Sequence, residues 1–334
     1  MKRIVLVLLL ITAILGVTYI VGPKPDPLLL NPDIEDAISA DIGEVSDVAS
    51  WIIQKDESKS IRTGNESQVY WADSINKPTE FVLLYLHGFS ACPEEGAPIH
   101  KEFAIRYGMN MYAPLLAEHG LIETENMINF TAEAWINSAK EALAVAQIMG
   151  EKVIVMGTST GCTSSLFLAS GKNNIHSLIC YSPNIEVFDP KASLLAGPWG
   201  LEIARVVKGG NYHEWEAPVE AQKYWHTKYR LESVVELQRL IEGTMIDKTF
   251  NKIEIPTLVL CNYKDEVQQD SVVSVPAMRE MFTALGSNQK KFVELPDVDK
   301  HALASKYFSK DLLNVSKETN LFAEEVLMLR ILKR

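Results

Sequence analysis

The chain has 334 residues, of which 47% are hydrophobic and 22% charged, a globular composition that excludes a mainly disordered chain or a coiled coil. Lys plus Arg number 32 against 43 Asp plus Glu, a formal net charge of -11, which is a poor match for a polyanionic nucleic acid partner. Gly at 18 and Pro at 15 are ordinary counts, and no fixed-period repeat points to a solenoid.

The first element is an anomaly. Lys2 and Arg3 precede a charge-free run from Ile4 to Gly22, which at ~1.5 Å per residue is just able to cross a ~30 Å hydrocarbon core. The run ends Thr18-Tyr19-Ile20-Val21-Gly22 without the small-residue site of a cleaved signal peptide. An uncleaved signal anchor over 1–22 is therefore the favoured expectation and a signal peptide followed by secretion the alternative. No Cys lies near the run, so a lipid anchor on cysteine is not supported. The two basic residues stay cytoplasmic, which places the rest of the chain on the exoplasmic or periplasmic side. Pro23, Pro25, Pro27 and Pro32 follow and favour extended backbone, so 23–60 reads as a semi-rigid spacer and a first helix.

That helix is expected between Pro32 and Lys55, where Ile34, Ile38, Ile42, Val45, Ala49 and Ile52 recur at three- and four-residue intervals. Strands are expected at Gln68 to Trp71, Glu80 to Leu86 and Met109 to Ala113, the second a nearly continuous apolar run of buried-strand length. A helix over Thr131 to Met149 ends at Gly150, and the strand Lys152 to Met156 leads into a helical stretch from Thr160 to Ala169. Two more strands, Ser177 to Tyr181 and Thr257 to Cys261, bracket a long insertion. The alternation predicts an α/β fold with a mostly parallel sheet covered on both faces. The insertion, 185–252, is too long for a simple crossover and reads as a cap, leaving 61–184 and 253–334 as the core. Phe322 to Leu332 reads as a C-terminal helix.

The chemistry centres on Gly157-Thr158-Ser159-Thr160-Gly161, a G-x-S-x-G match at a strand-to-helix junction. The pentapeptide is common by chance, and its bland reading is a small-residue turn. The apolar strand before it and the helix after it favour a sharp turn that exposes the Ser159 hydroxyl at the carboxyl end of the sheet. A serine hydroxyl is a weak nucleophile unless a base takes its proton, so a histidine oriented by a carboxylate is required. The expected order is Ser, acid, His. Of the seven histidines only His301 lies beyond the last expected strand. Asp265, a few residues past the strand ending at Cys261, is the favoured acid, with Glu266 the main rival and Asp270 and Asp247 also open. The oxyanion donors would be the Phe89 and Thr160 amides, the first from the glycine turn Leu86-His87-Gly88-Phe89-Ser90. His87 precedes the serine and reads as a brace for that turn rather than the base.

Taken together, Leu86-His87-Gly88-Phe89, the Ser159 pentapeptide, Asp265 and His301 resemble the alpha/beta-hydrolase superfamily, over roughly Ile61 to the C-terminus. Within it the chain looks most like bacterial carboxylesterases and monoacylglycerol-lipase-like hydrolases. The resemblance implies an eight-stranded sheet, a triad that needs neither metal nor cofactor, an acyl-binding cap, and small-molecule or lipid carboxylic esters as substrates. The chain departs from those relatives at Ala117-Glu118-His119-Gly120, where they often have Gly-His-Gly, and at Cys162, where a second glycine is usual.

Other sites read more weakly. Glu94-Glu95 is an adjacent carboxylate pair without the defined separation glycoside hydrolysis requires. No Cys-x-x-Cys or His-Glu-x-x-His spacing exists for zinc. Cys162, Cys180 and Cys261 fall in expected buried elements and read as inert packing, while Trp199, Trp215, Tyr224 and Trp225 either line an acyl pocket or pack cap on core. A membrane-anchored serine esterase is the expectation; an amidase or peptidase using the same triad, and a noncatalytic binding protein keeping the fold, are the rivals.

Overall fold

Apolar runs of buried-strand length become the inner strands of a seven-stranded sheet. The computed structural model describes residues 2–34, 44–73 and 77–332. Along the chain the strands are β1 (Gln68–Tyr70), β2 (Thr79–Leu86), β3 (Asn110–Ala113), β4 (Gly150–Thr158), β5 (Ile175–Tyr181), β6 (Tyr212–Glu214), β7 (Lys228–Arg230), β8 (Thr257–Asn262) and β9 (Lys290–Leu295). The main sheet has the order β1-β3-β2-β4-β5-β8-β9, with β1 antiparallel and the rest parallel, while β6 and β7 form a separate hairpin.

Alternation along each strand feeds two cores. Leu84, Val155, Leu178 and Val259 face one side and pack with Trp135 and Leu143 of α4 (Ala132–Met149) and Leu166 of α5 (Thr160–Ala169). Leu83, Tyr85, Ile154, Met156, Ile179 and Leu258 face the other, against Phe103 of α3 (Ile99–Tyr107) and Phe322 of α10 (Leu312–Glu325). Helices on both faces are what continuous apolar strands require, because neither face can be left to water. Thr131 caps α4 by accepting the Ala134 amide at 3.1 Å.

Several expectations need correction. The described residues hold seven strands in the main sheet rather than eight. Ahead of β1 the chain makes a turn, Asn65 N–H to Arg62 O at 2.9 Å, and touches only an isolated bridge between Ile61 and Leu121. The C-terminal helix begins ten residues earlier than Phe322 and stops at Glu325, because Asp311 caps it through the Asn314 amide and Leu327 and Leu329 then tuck into the core as irregular chain. β9 and α9 (Val275–Ala284) had no counterpart in the sequence pattern. Of the early helix, α2 (Val48–Glu57) is present after a 3₁₀ turn at Val45–Asp47, and 35–43 lie outside the described residues.

The proline segment is extended as expected, but it does not hold the N-terminal apolar run and the globule apart. It lies on the globule as a strap. Trp199 N–H donates to Pro23 O and the Arg239 guanidinium to Asp26 O, both at 2.7 Å. The Asn173 amide donates to Pro32 O at 2.8 Å, the Lys172 amide to Asp33 at 2.7 Å, and Leu28, Leu30 and Ile34 pack on the core. Extended chain without internal hydrogen bonds leaves its carbonyls free, and the globule binds those of Pro23, Asp26 and Pro32. Before the strap, α1 (Lys2–Ile20) carries a stretch of mean hydropathy 2.4 with none of it buried, long and apolar enough to cross a membrane.

The insertion between β5 and β8 holds a 3₁₀ turn (Pro190–Ala196), α6 (Gly200–Lys208), the β6–β7 hairpin, α7 (Leu231–Thr244) and α8 (Asp247–Phe250). Its aromatics stitch it to the core. Trp225 meets Phe308 with ring centroids 5.0 Å apart and Tyr224 meets Tyr307 at 5.2 Å. Arg62 donates to the carbonyls of Trp225 and Gln222, and Asn65 to that of Lys223. Trp215, Tyr224 and Trp225 therefore serve cap-core packing, while Trp199 donates its indole N–H to Thr18 O at the end of α1 at 3.0 Å.

Candidate active site

In a parallel sheet, loops leaving the carboxyl ends of neighbouring strands converge, and here β2, β4, β8 and β9 deliver the candidate residues to one edge. Ser159 occupies the β4–α5 turn with φ 54° and ψ -118°, a conformation L-residues avoid unless the surroundings enforce it. The enforcement is visible. Its N–H donates to Tyr181 O at 2.9 Å, and its carbonyl accepts from the amides of Cys162 (2.9 Å), Thr163 (3.2 Å) and Asn184 (3.2 Å). Flanking glycines are sterically required, since a Cβ at Gly161 would run into the Leu86 carbonyl and one at Gly157 would come 3.0 Å from the Cys162 nitrogen. Thr160 is the first residue of α5, so its N–H has no acceptor within the helix.

His301 lies in the loop after β9. Its Nδ1 is 2.7 Å from Asp270 Oδ2, and its Nε2 is buried with no hydrogen-bond partner among the described residues. Asp270 is fully buried, and its other oxygen accepts the amides of Val272 at 2.9 Å and Val273 at 3.2 Å. Burial alone would raise the Asp270 pKa; His301 and those two amides outweigh it and hold the carboxyl below its ordinary value. For His301 burial pulls the pKa down, and Asp270, with a smaller contribution from Glu95, raises it above the ordinary imidazole value.

The structure thus pairs His301 with Asp270 and not with Asp265. Asp265 is exposed, and its Oδ1 caps its own turn by accepting the amides of Val267 (2.9 Å) and Gln268 (2.8 Å), which lower its pKa. Glu266 is exposed as well and accepts the Tyr263 hydroxyl, and exposed Asp247 sits in the first turn of α8. The reason for the miss is a detour. After β8 the chain loops outward, pairs Tyr263 with Gln269 in an isolated bridge, and returns so that Asp270 N–H donates to Asn262 O at 2.9 Å. Counting residues from the strand end selected the tip of that loop; the apolar Val272-Val273 behind Asp270 was the available signal for the buried carboxylate.

The turn after β2 is braced by two neutral histidines. His87 accepts the Leu116 amide on Nε2 at 3.0 Å and its Nδ1–H bonds Gly88 O at 2.9 Å, and His119 accepts the Ser90 amide on Nε2 at 2.9 Å. Burial drives both pKa values down, to about 4 for His87. Glu118, immediately before His119, takes φ 61°. Phe89 packs edge-on against Phe130 at 5.1 Å and against Tyr229 of the hairpin at 5.3 Å, which fixes the turn between core and cap. Cys162 is fully buried in α5 and points its thiol toward Tyr181 O at 3.5 Å; all four cysteines are buried and free. No group of three or more metal-ligating side chains occurs among the described residues.

No family model matches the chain. A curated relative, the thermostable monoacylglycerol lipase of Bacillus sp. (strain H-257), is 23% identical over 213 residues, 64% of this chain and 80% of the lipase. Among solved structures, one reported for LipS and LipT, two metagenome-derived lipolytic enzymes, aligns with a TM-score of 0.63 at 15% identity, covering 79% of this chain and 99% of that one. The monoacylglycerol lipase of Paleococcus ferrophilus gives 0.56 at 12% identity, over 79% and 98% of the two chains. Est1E of Butyrivibrio proteoclasticus with bound ferulic acid gives 0.54 at 18%, over 80% and 98%. A mostly parallel sheet with a strained serine after its central strand, together with these likenesses, shows that the chain has the alpha/beta-hydrolase fold.

Proposed function

We propose that the protein is a membrane-anchored serine hydrolase of carboxylic esters, working through an acyl-enzyme on Ser159. The observation that carries the reading is the pairing of His301 Nδ1 with buried Asp270 at 2.7 Å, which leaves Nε2 open, at the same sheet edge as a strained serine.

With Nδ1–H committed to Asp270, the His301 tautomer has its lone pair on Nε2 and can take the Ser159 proton as the hydroxyl attacks an ester carbonyl. Asp270 stays ionised and stabilises the imidazolium. The Phe89 and Thr160 amides are the donors for the tetrahedral oxyanion, each such donor being worth ~2.7–4 kcal/mol in comparable sites. His301 then protonates the departing alcohol, and water repeats the sequence in reverse to free the acid. The likeness to two monoacylglycerol lipases supports acyl esters as substrates, and α1 would hold the enzyme at a bilayer where such esters reside. A fluorophosphonate probe tests this directly. Labelling of the wild type, its absence in Ser159→Ala, and turnover of p-nitrophenyl esters over matched anilides are expected; equal labelling of the variant refutes the assignment.

A further inference from the structure

The site contains a second buried carboxylate that the triad does not use. Glu95 is 3% exposed, on the 3₁₀ turn Pro93–Gly96 immediately after the oxyanion turn. Its Oε2 accepts the Gly88 amide at 2.6 Å and the Tyr85 hydroxyl at 3.2 Å. Tyr85 in turn shares a 2.9 Å hydrogen bond with Thr158, the residue before the nucleophile. One carboxylate therefore ties together the two backbone segments that supply the oxyanion donors. It is also close to the reacting groups. A Cβ placed on Gly88 would stand 3.1 Å from Glu95 Oε1 and 3.1 Å from Ser159 Cβ, so the carboxylate and the nucleophile's side chain flank the same glycine.

We propose that Glu95 is a positioning residue of this site, a second carboxylate that holds the oxyanion turn through the Gly88 amide and acts on His301 beside Asp270. The inference rests on the serine-hydrolase reading above. The groups that interact with Glu95 are Tyr85 from β2, Cys162 from α5, His301 from the loop after β9 with Asp270 behind it, and Cys92 from its own segment, while the neighbouring Glu94 turns to Lys306 and Tyr307. Burial raises the Glu95 pKa to about 7, against the opposing pull of the Gly88 amide, His301 and Tyr85. The ionised form supports the His301 imidazolium but places negative charge near the forming oxyanion, whereas the neutral acid keeps the Gly88 bond without that charge. Its protonation consequently divides the working pH range into two regimes.

The test is Glu95→Gln in the full-length protein, which keeps an oxygen for the Gly88 amide and removes the titration. Wild-type kcat/KM on a short p-nitrophenyl ester should show two ionisations on its acid limb. The variant should show one, with the midpoint moved down by roughly a pH unit, kcat changed several-fold and KM within about twofold. Imidazole NMR of His301 in the Ser159→Ala background reads the same coupling without turnover and expects the same downward movement in Glu95→Gln. An unchanged His301 titration overturns the proposal, whether or not the wild type hydrolyses esters. Loss of probe labelling by the wild type overturns instead the hydrolase reading. A uniform fall in rate at every pH, with the midpoint fixed, reduces Glu95 to a structural part and likewise overturns the proposal.

Discussion

Asp270→Asn separates the two candidate acids. The asparagine can keep its oxygen on the Val272 and Val273 amides, the contacts Asp270 Oδ1 now makes at 2.9 and 3.2 Å. Its NH2 then faces His301 Nδ1 across the present 2.7 Å separation. Two donors cannot share that line, so the imidazole adopts the tautomer with the proton on Nε2, where it can no longer accept one from Ser159. A wrong tautomer in such a triad costs ~10⁴ in kcat, or about 5.4 kcal/mol of transition-state stabilisation at 1.36 kcal/mol per tenfold. Asp265→Asn should change kcat less than about twofold, because its side chain holds only the turn at Val267 and Gln268. Initial rates on p-nitrophenyl butyrate, with thermal melts to confirm folding, decide the matter. The reasoning fails if Asp270→Asn keeps more than a tenth of wild-type kcat or if Asp265→Asn is the damaging change.

Three further outcomes are expected. The buried His87 has its pKa lowered to about 4, so its contribution to stability is fully present above the unfolded value of about 6.5 and is lost as pH falls toward 4, at most about 3 kcal/mol; the melting temperature of His87→Gln should depend less steeply on pH between 7 and 5 than that of wild type. Gly161→Ala drives a methyl into the Leu86 carbonyl and should lose about 1–3 kcal/mol together with probe labelling, both absent if the turn can open. Deleting 1–22 should release an active soluble enzyme, whereas deleting 1–34 also removes the strap contacts to Arg239, Lys172 and Asn173 and should lower the melting temperature by several degrees; equal melting of the two fragments would show the strap to be idle.

How far the sequence could be read depended on whether a feature was local. β2, β4, β5 and β8 were legible because strands buried on both faces must be apolar throughout. Ser159 was legible because its turn needs small residues at fixed offsets, and those offsets lie within five positions. β9 was not, since Lys290-Lys-Phe-Val-Glu-Leu forms an edge strand that is only half buried and carries charge along its length. Asp270 stood among the open alternatives but behind Asp265, because the loop that returns it to Asn262 is a tertiary event and distance along the chain does not measure distance in space. Glu95 reads in the sequence only as half of an adjacent carboxylate pair without a defined separation. Glu94 next to it does pair at the surface, with Lys306 and Tyr307, so only the fold distinguishes the two neighbours.

The strap has a geometric corollary. A tether of loose chain would let a catalytic domain roam and present any side to the surface it hangs from. Here the residues that follow α1 are bound to α7, the α5–β5 turn and the start of α6, leaving almost no slack. On the reading that α1 spans a bilayer, Trp199 and the cap around it sit at the headgroups, and the domain keeps one heading toward the lipid. Lengthening the chain between Ile20 and Pro23 would free that heading while leaving every atom of the active site in place.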